Sequence, residues 1–245
     1  MAALDVHQVT VQFGGNTVLD RASIAAEAGA ITGLIGPNGA GKTTMFNVIT
    51  GLLTPVSGRI QIDGLNATGM RLHKRARIGL ARTFQQLELF TMLSVRENIR
   101  VGADIHRKWS GDKRSASEVT ESIIDRVGLR AVADERVTTL PTGQGRLVEL
   151  GRALTCSPKV LLLDEPASGQ DDAETARFAA LLRELADDGT AVVLVEHDMA
   201  LVMNVCDHLY VLDLGRIIAS GDPATVQANP AVLDAYLGTS RVAAQ

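Results

Sequence analysis

Apolar and polar residues alternate loosely over residues 6–13 and 18–24, which predicts two half-exposed antiparallel strands near the start of the chain. Residues 31–35 (Ile-Thr-Gly-Leu-Ile) begin a different sheet. The runs Val160-Leu161-Leu162-Leu163 and Ala191-Val192-Val193-Leu194-Val195 are short, wholly apolar and bounded by turn or acidic residues. Parallel strands covered on both faces read this way. Between them, residues 172–188 carry Ala176, Ala179, Ala180 and Leu182 at helical spacing and end in Asp188-Gly189, a helix stop. The three segments together predict a βαβ unit.

Residues 96–137 are charged, helix-favouring, broken by Gly111 and Gly128, and contain no buried-strand run, which predicts a helical lobe inserted into the parallel core. Towards the C-terminus, Tyr210-Val211-Leu212 and Arg216-Ile217-Ile218 flank Asp213-Leu214-Gly215 and predict a strand pair on a tight turn. Asn229-Pro230 then precedes a short last helix. No internal repeat or low-complexity tract interrupts this order.

A chain of 245 residues that is 46% hydrophobic suits one large α/β domain, or such a domain with a smaller lobe. A net charge of −4 with only 3% aromatic residues supplies neither a basic surface to track phosphates nor rings to stack on bases, so nucleic acid is not expected as a partner. Cys156 and Cys206 form no Cys-x-x-Cys pair and fall in segments read as helical, so buried reduced thiols and a cytosolic setting are expected. No apolar run approaches the 18 or so residues needed to cross a bilayer, and Met1-Ala2-Ala3-Leu4-Asp5 lacks the regions of a signal peptide. Any membrane role is therefore expected to come through a partner.

Directly after the strand at 31–35 stands Gly36-Pro37-Asn38-Gly39-Ala40-Gly41-Lys42-Thr43, followed by Thr44. This is the Walker A pattern of a nucleotide-binding P-loop. Glycines let successive backbone N–H groups turn in on phosphate oxygens, and the helix that follows adds the positive end of its dipole. In this pattern Lys42 brings a mobile charge to the β- and γ-phosphates, and the Thr43 hydroxyl is placed to ligate Mg²⁺.

Asp164-Glu165-Pro166 closes the apolar run at 160–163, at the strand end where parallel sheets bind ligands. On an extended segment successive side chains point opposite ways, so Asp164 could serve Mg²⁺ through water while Glu165 serves the water that attacks the γ-phosphate. Capping of the next helix by both acids is the alternative. Leu140-Pro141-Thr142-Gly143-Gln144 precedes an amphipathic stretch with Leu147, Leu150 and Leu154, accompanied by Arg146 and Arg152. By itself this is a turn and helix start able to hold an anion.

Placed shortly before the Asp164-Glu165 strand, that loop resembles the signature of ATP-binding cassette (ABC) ATPases, usually Leu-Ser-Gly-Gly-Gln, and the resemblance extends over nearly the whole chain. It implies an α/β P-loop NTPase core, mainly parallel, with an antiparallel β subdomain and an inserted helical subdomain. The catalytic core would comprise about residues 1–85 and 156–245, and the helical subdomain 86–155. ATP and Mg²⁺ are the implied cofactors. Phe13 resembles the aromatic that stacks on adenine. Gln85, with Gln86 the less favoured neighbour, resembles the glutamine that touches Mg²⁺ and the attacking water. Ser168-Gly169-Gln170-Asp171 resembles the D-loop, and His197 the switch histidine that contacts the γ-phosphate. Glu165, His197 and Gln85 would then be catalytic, Thr43, Gln85 and Asp164 would serve the metal, and Thr142, Gly143 and Gln144 would meet nucleotide held by another subunit.

The family precedent is a head-to-tail dimer, homomeric or heteromeric, that closes on ATP and reopens after hydrolysis. It works at the cytoplasmic membrane face with permease subunits and, indirectly, a substrate-binding protein. Leu87, Leu89 and Phe90 would border the groove that passes motion to the membrane subunits, or belong to the core. Pro141 stands where the signature usually has serine, Thr142 where it has its first glycine, and Gln170 where the D-loop has leucine, so the phosphate contact would pass to Thr142 or to backbone N–H groups. Ala81-Arg82-Thr83-Phe84-Gln85, Val195-Glu196-His197-Asp198-Met199 and the tail from Asn229 to Gly238 most resemble ATPases of branched-chain amino acid importers. Similar tails occur in urea or amide importers and in an ATPase driving lipopolysaccharide export. ABC ATPases outside transport carry coiled-coil or zinc insertions or tandem cassettes, and a GTPase would carry an Asn-Lys-x-Asp motif; this sequence has neither.

Overall fold

A computed structural model describes residues 2–242 of the chain, with side chains described as far as Tyr236. Strands β1 (Ala2–Phe13) and β2 (Asn16–Glu27) pair antiparallel. After Ala3, the buried residues of β1 run Leu4, Val6 and then Val9, Val11, a slip of one in the alternation. The slip is a bulge: the register shifts between Val6 and Val9, and Gln8 takes φ 48°.

The chain then enters β3 (Ile31–Ile35), passes through helix α1 (Lys42–Thr50), and returns to the first sheet as β4 (Ser57–Ile62) and β5 (Leu65–Asn66). The antiparallel sheet thus has the order β2-β1-β4-β5. A second, six-stranded sheet adds β6 (Leu80–Arg82), β7 (Val160–Asp164), β8 (Ala191–Val195), β9 (His208–Asp213) and β10 (Arg216–Gly221) to β3. Its order is β10-β9-β3-β8-β7-β6, and every neighbouring pair except β9 with the edge strand β10 is parallel. The β9–β10 turn has Leu214 and Gly215 both at positive φ, 44° and 80°, the two-residue turn whose twist matches a hairpin.

All residues of β3, β7 and β8 are buried, because the sheet is covered on both faces. Alternate residues feed different cores. Ile31, Ile35, Leu161, Leu163, Val192 and Leu194 join one made largely with helices, while Leu34, Leu162, Val193 and Val195 join one closed by α1 and the antiparallel sheet.

Helix α2 (Leu72–Arg77) places Arg75 against the C-terminus of α1. This arginine is 1% exposed, and its guanidinium donates to the carbonyls of Val48 (2.6 Å), Ile49 (2.7 Å), Met70 and Thr68 (3.0 Å each). Cation and carbonyls meet where the helix dipole is negative. Helices α3 (Val95–Ser110), α4 (Ala116–Arg126) and α5 (Thr142–Leu154) account for most of the stretch between β6 and β7. Ser94 with Glu97 and Ser115 with Glu118 form capping boxes that start α3 and α4.

Helix α6 (Asp172–Asp187) connects β7 to β8, and α7 (Met199–Val205), α8 (Pro223–Gln227) and α9 (Pro230–Val242) complete the chain. Two expectations are corrected here. Ala176 and Ala180 of α6 are exposed, because the stripe of Phe178, Leu181, Leu182 and Leu185 offers more apolar area and takes the core side. Cys156 and Cys206 are free thiols lying just beyond the C-terminal ends of α5 and α7, not within them. Burial pushes the Cys156 thiol up to about 11 and, with Asp207 adding to it, the Cys206 thiol up to about 12. No helix among the described residues is long and apolar enough to cross a membrane.

Candidate functional site

The loop after β3 runs against β9 and β2 so closely that side chains are excluded. A Cβ at Gly36 (φ 150°) would lie 1.9 Å from the Leu212 carbonyl oxygen, and one at Gly41 (φ 111°) would lie 2.9 Å from Leu19 Cδ2. Helix α1 then starts at Lys42 with no side-chain cap and no acid in its first turn. Its leading N–H groups are therefore left for an anion. Lys42 is buried, and Nζ donates to the carbonyls of Gly36 (2.7 Å) and Pro37 (3.1 Å). Burial lowers its pKa, opposed by the charges of Glu165 and then Asp164. Phosphate oxygens, being charged acceptors, are stronger partners for this ammonium than the two carbonyls that hold it here.

Asp164 ends β7 in a buried position, with Arg82 Nη2 2.9 Å from its Oδ2. Glu165 differs from expectation: it leaves the strand at φ 49°, in the left-handed region, while its N–H donates to the Val195 carbonyl at 2.9 Å. The two acids diverge because the chain turns between them, not because an extended segment alternates. A non-glycine residue in that region costs of order 1–3 kcal/mol. Glu165 Oε1 lies 2.8 Å from His197 Nε2, beyond the end of β8. Buried Glu196 accepts the N–H groups of Ala167 (2.8 Å) and His197 (3.1 Å) and so ties the loop after β7 to the loop after β8. Burial raises its pKa against those hydrogen bonds.

Past β6, Thr83 donates its N–H to the Leu162 carbonyl (2.9 Å), and the next residues are gripped by α5. Glu149 Oε1 accepts the Phe84 N–H at 3.0 Å, and Arg146 donates to the carbonyls of Phe84 (2.7 Å) and Gln85. Arg146, grouped on sequence with an anion-holding helix start, is thus buried and engaged by backbone. Burial raises the Glu149 carboxyl, with the Phe84 N–H and Arg146 pulling the other way.

One cavity is bordered by Asn38, Gly39, Gly41, Lys42, Thr43, Thr44, Gln85, Glu165 and His197, with Val18 and Val195. The structure therefore brings together the glycine loop, the glutamine, the second acid and the histidine. Gly36 and Pro37 contribute through their carbonyls, Ala40 is buried behind the loop, and Asp164 lies deeper beside Arg82. Phe13 is half exposed at the β1–β2 turn and does not border this cavity. Gly143 and Gln144 line a separate cleft with Gln170, Glu174 and Arg177, and the Thr142 side chain packs near Gly169. With Pro141 at its N-cap, α5 also starts without a side-chain cap. In sequence Arg82, Glu149 and Glu196 have no site role of their own, and Arg146 is placed beside an anion-holding turn rather than among the residues that grip Phe84 and Gln85. A charged residue inside or beside an apolar strand or helix stripe was the one signal they carried.

An uncapped helix behind a glycine loop, facing a carboxylate and a histidine across the ends of buried parallel strands, defines a P-loop nucleotide hydrolase. The ABC transporter family matches residues 19–168, and the chain belongs to this family of transport-coupled ATPases. Residues 216–241 match the family described as branched-chain amino acid ATP-binding cassette transporter. The chain is 37% identical over 248 residues to the high-affinity branched-chain amino acid transport ATP-binding protein BraF of Pseudomonas aeruginosa, covering 96% of this chain and 97% of BraF. To LivG of Escherichia coli K12, of the same description, it is 36% identical with the same coverage. The structure of the ADP conformation of MJ1267, an ATP-binding cassette of an ABC transporter, superimposes with a TM-score of 0.87 at 32% identity, covering 97% of this chain and 99% of that one.

Proposed function

We propose that this chain hydrolyses ATP to energise the import of branched-chain amino acids, as a peripheral subunit on the cytoplasmic face of membrane permeases. The observation that carries the cargo assignment is the C-terminal segment, residues 216–241, matching a family of that description, together with end-to-end similarity to BraF. Residues 1–85 and 156–245 would form the catalytic core and 86–155 the helical subdomain.

Gly36 to Thr44 hold the phosphates: backbone N–H groups at the start of α1 take the oxygens, and Lys42 turns from its carbonyl partners to the β- and γ-phosphates. Phe13 stacks on the base. Thr43 hydroxyl, Gln85 carboxamide and Asp164 carboxylate form a set of oxygen donors suited to a hard divalent cation, with Asp164 acting through water. A divalent cation held there would supply positive charge to offset that of the phosphates. Glu165 accepts a proton from the attacking water, and Gln85 helps orient that water. His197 holds the Glu165 carboxylate in place and reaches the γ-phosphate.

Phosphate bound at one face is only partly neutralised, which leaves a role for a second helix N-terminus. The uncapped start of α5, with Thr142, Gly143 and Gln144, supplies it from the opposing subunit of a head-to-tail dimer. A substrate-binding protein would act on the far side of the membrane. Reconstitution with cognate permeases tests the assignment: leucine, isoleucine or valine, delivered by the binding protein, should stimulate phosphate release and drive uptake. Stimulation by an unrelated solute in their place would refute the cargo.

A further inference from the structure

We propose that Arg82 is a positioning residue for the metal carboxylate, holding Asp164 aligned with the phosphate-binding helix so that divalent metal meets a preset ligand. The inference rests on Asp164 being the metal carboxylate, as proposed above.

Arg82 is the last residue of β6 and Asp164 the last of β7, and the two strands pair in parallel with Arg82 opposite Leu162. Their side chains are 7% and 3% exposed and meet at 2.9 Å. Buried carboxylate oxygens need hydrogen-bond donors to hold them in one orientation. Lys42 acts on Asp164 through space, while its own hydrogen bonds run to Gly36 and Pro37. Arg82 is the residue in direct contact.

The guanidinium is itself fixed on several sides. Its Nη1 donates to Asn47 Oδ1 on α1 at 2.6 Å, and its Cζ lies 5.4 Å from the Phe46 ring centroid and 5.1 Å from that of Phe84. One planar group therefore joins the helix that follows the glycine loop, the strand carrying the metal acid, and the segment leading to Gln85. A lysine has a single point charge and cannot span Asn47 and Asp164 in this way. Since the hydrogen bonds of Arg82 run to Asn47 and Asp164 rather than to the glycine loop, its effect should fall on metal binding and leave metal-free nucleotide binding alone. Removing the outer-shell partner of a metal ligand typically costs 10- to 100-fold in metal affinity.

The test uses the full chain loaded with ADP, with Mn²⁺ followed by electron paramagnetic resonance as the metal probe. Arg82→Met and Arg82→Lys should each weaken Mn²⁺ binding about tenfold or more, and Asn47→Ala should weaken it less. ADP affinity in EDTA should change by less than about twofold, since the phosphate contacts are untouched. In an Asp164→Asn background, Arg82→Met should have no further effect on Mn²⁺, because the arginine acts through that acid. Unchanged or tighter Mn²⁺ binding, an equal loss in the Asp164→Asn background, or a parallel loss of metal-free ADP binding would overturn the role. Should Arg82→Met fail to fold, Arg82→Lys and Asn47→Ala decide the matter. Asp164→Asn alone leaving Mn²⁺ binding intact would instead overturn the metal assignment beneath it.

Discussion

His197 Nε2 and Glu165 Oε1 lie 2.8 Å apart although 32 residues separate them in the chain. They meet because β7 and β8 are adjacent and parallel, so both strands deliver their following residues to the same edge of the sheet. The contact is partly open, with side-chain exposures of 21% for Glu165 and 48% for His197, which suits the roles proposed for them.

Glu165→Gln should keep the hydrogen-bonding shape and lose the base. Turnover is expected to fall by about 10²- to 10⁴-fold, with nucleotide affinity within a few-fold of wild type and dimers trapped closed on ATP. Phosphate release and light scattering in Mg-ATP would check both parts. Full turnover in this variant would reject the role assigned to Glu165.

Lys42→Ala should abolish tight ATP binding while leaving the fold intact. The ammonium is the one full positive charge lining the cavity with Thr43, Thr44 and Gln85 among the described residues. Calorimetry with Mg-ATP should show no saturable heat for the variant at nucleotide concentrations that saturate wild type.

Glu149→Gln carries a pH signature. Burial raises the Glu149 carboxyl above its ordinary 4.5 in the folded chain, so the native state holds this proton more tightly than the unfolded state. That contribution to stability is present below pH 4.5 and is lost as pH rises through the raised value. Whatever its offset, the variant should therefore gain stability relative to wild type as pH rises from about 4.5 through the raised value. Urea unfolding at a series of pH values gives the slope, and a difference that is flat or of opposite sign would contradict it.

Arg75→Met removes a buried cation from four carbonyl oxygens, two of them at the end of α1. Such buried acceptors cost about 1–3 kcal/mol when left without a donor. A loss of at least about 3 kcal/mol is expected in urea unfolding, with the phosphate-binding loop affected only through the stability of α1.

Glu149 and Arg146 show why parts of the site are invisible in one dimension. Their partners, Phe84 and Gln85, lie more than sixty residues earlier, and no spacing rule connects a helix side chain to a distant loop carbonyl. Arg82 is similar: in sequence it is a charge at the end of a short strand, and only the pairing of β6 with β7 sets it beside Asp164. Ala176 misled for the opposite reason, since periodicity registers that alanine is apolar but not that Phe178 and Leu181 win the core face by area.

What the sequence alone determined was local: which runs are strands buried on both faces, where the glycine loop hands over to a helix, and which acids and histidine follow strands. These follow from side-chain period and backbone freedom within a few residues. Tertiary structure alone decided the strand order that unites Glu165 with His197, the left-handed turn that separates Glu165 from Asp164, and the buried arginines that hold the site. Those outcomes depend on which elements pack together, and packing is settled by the whole chain competing for one interior.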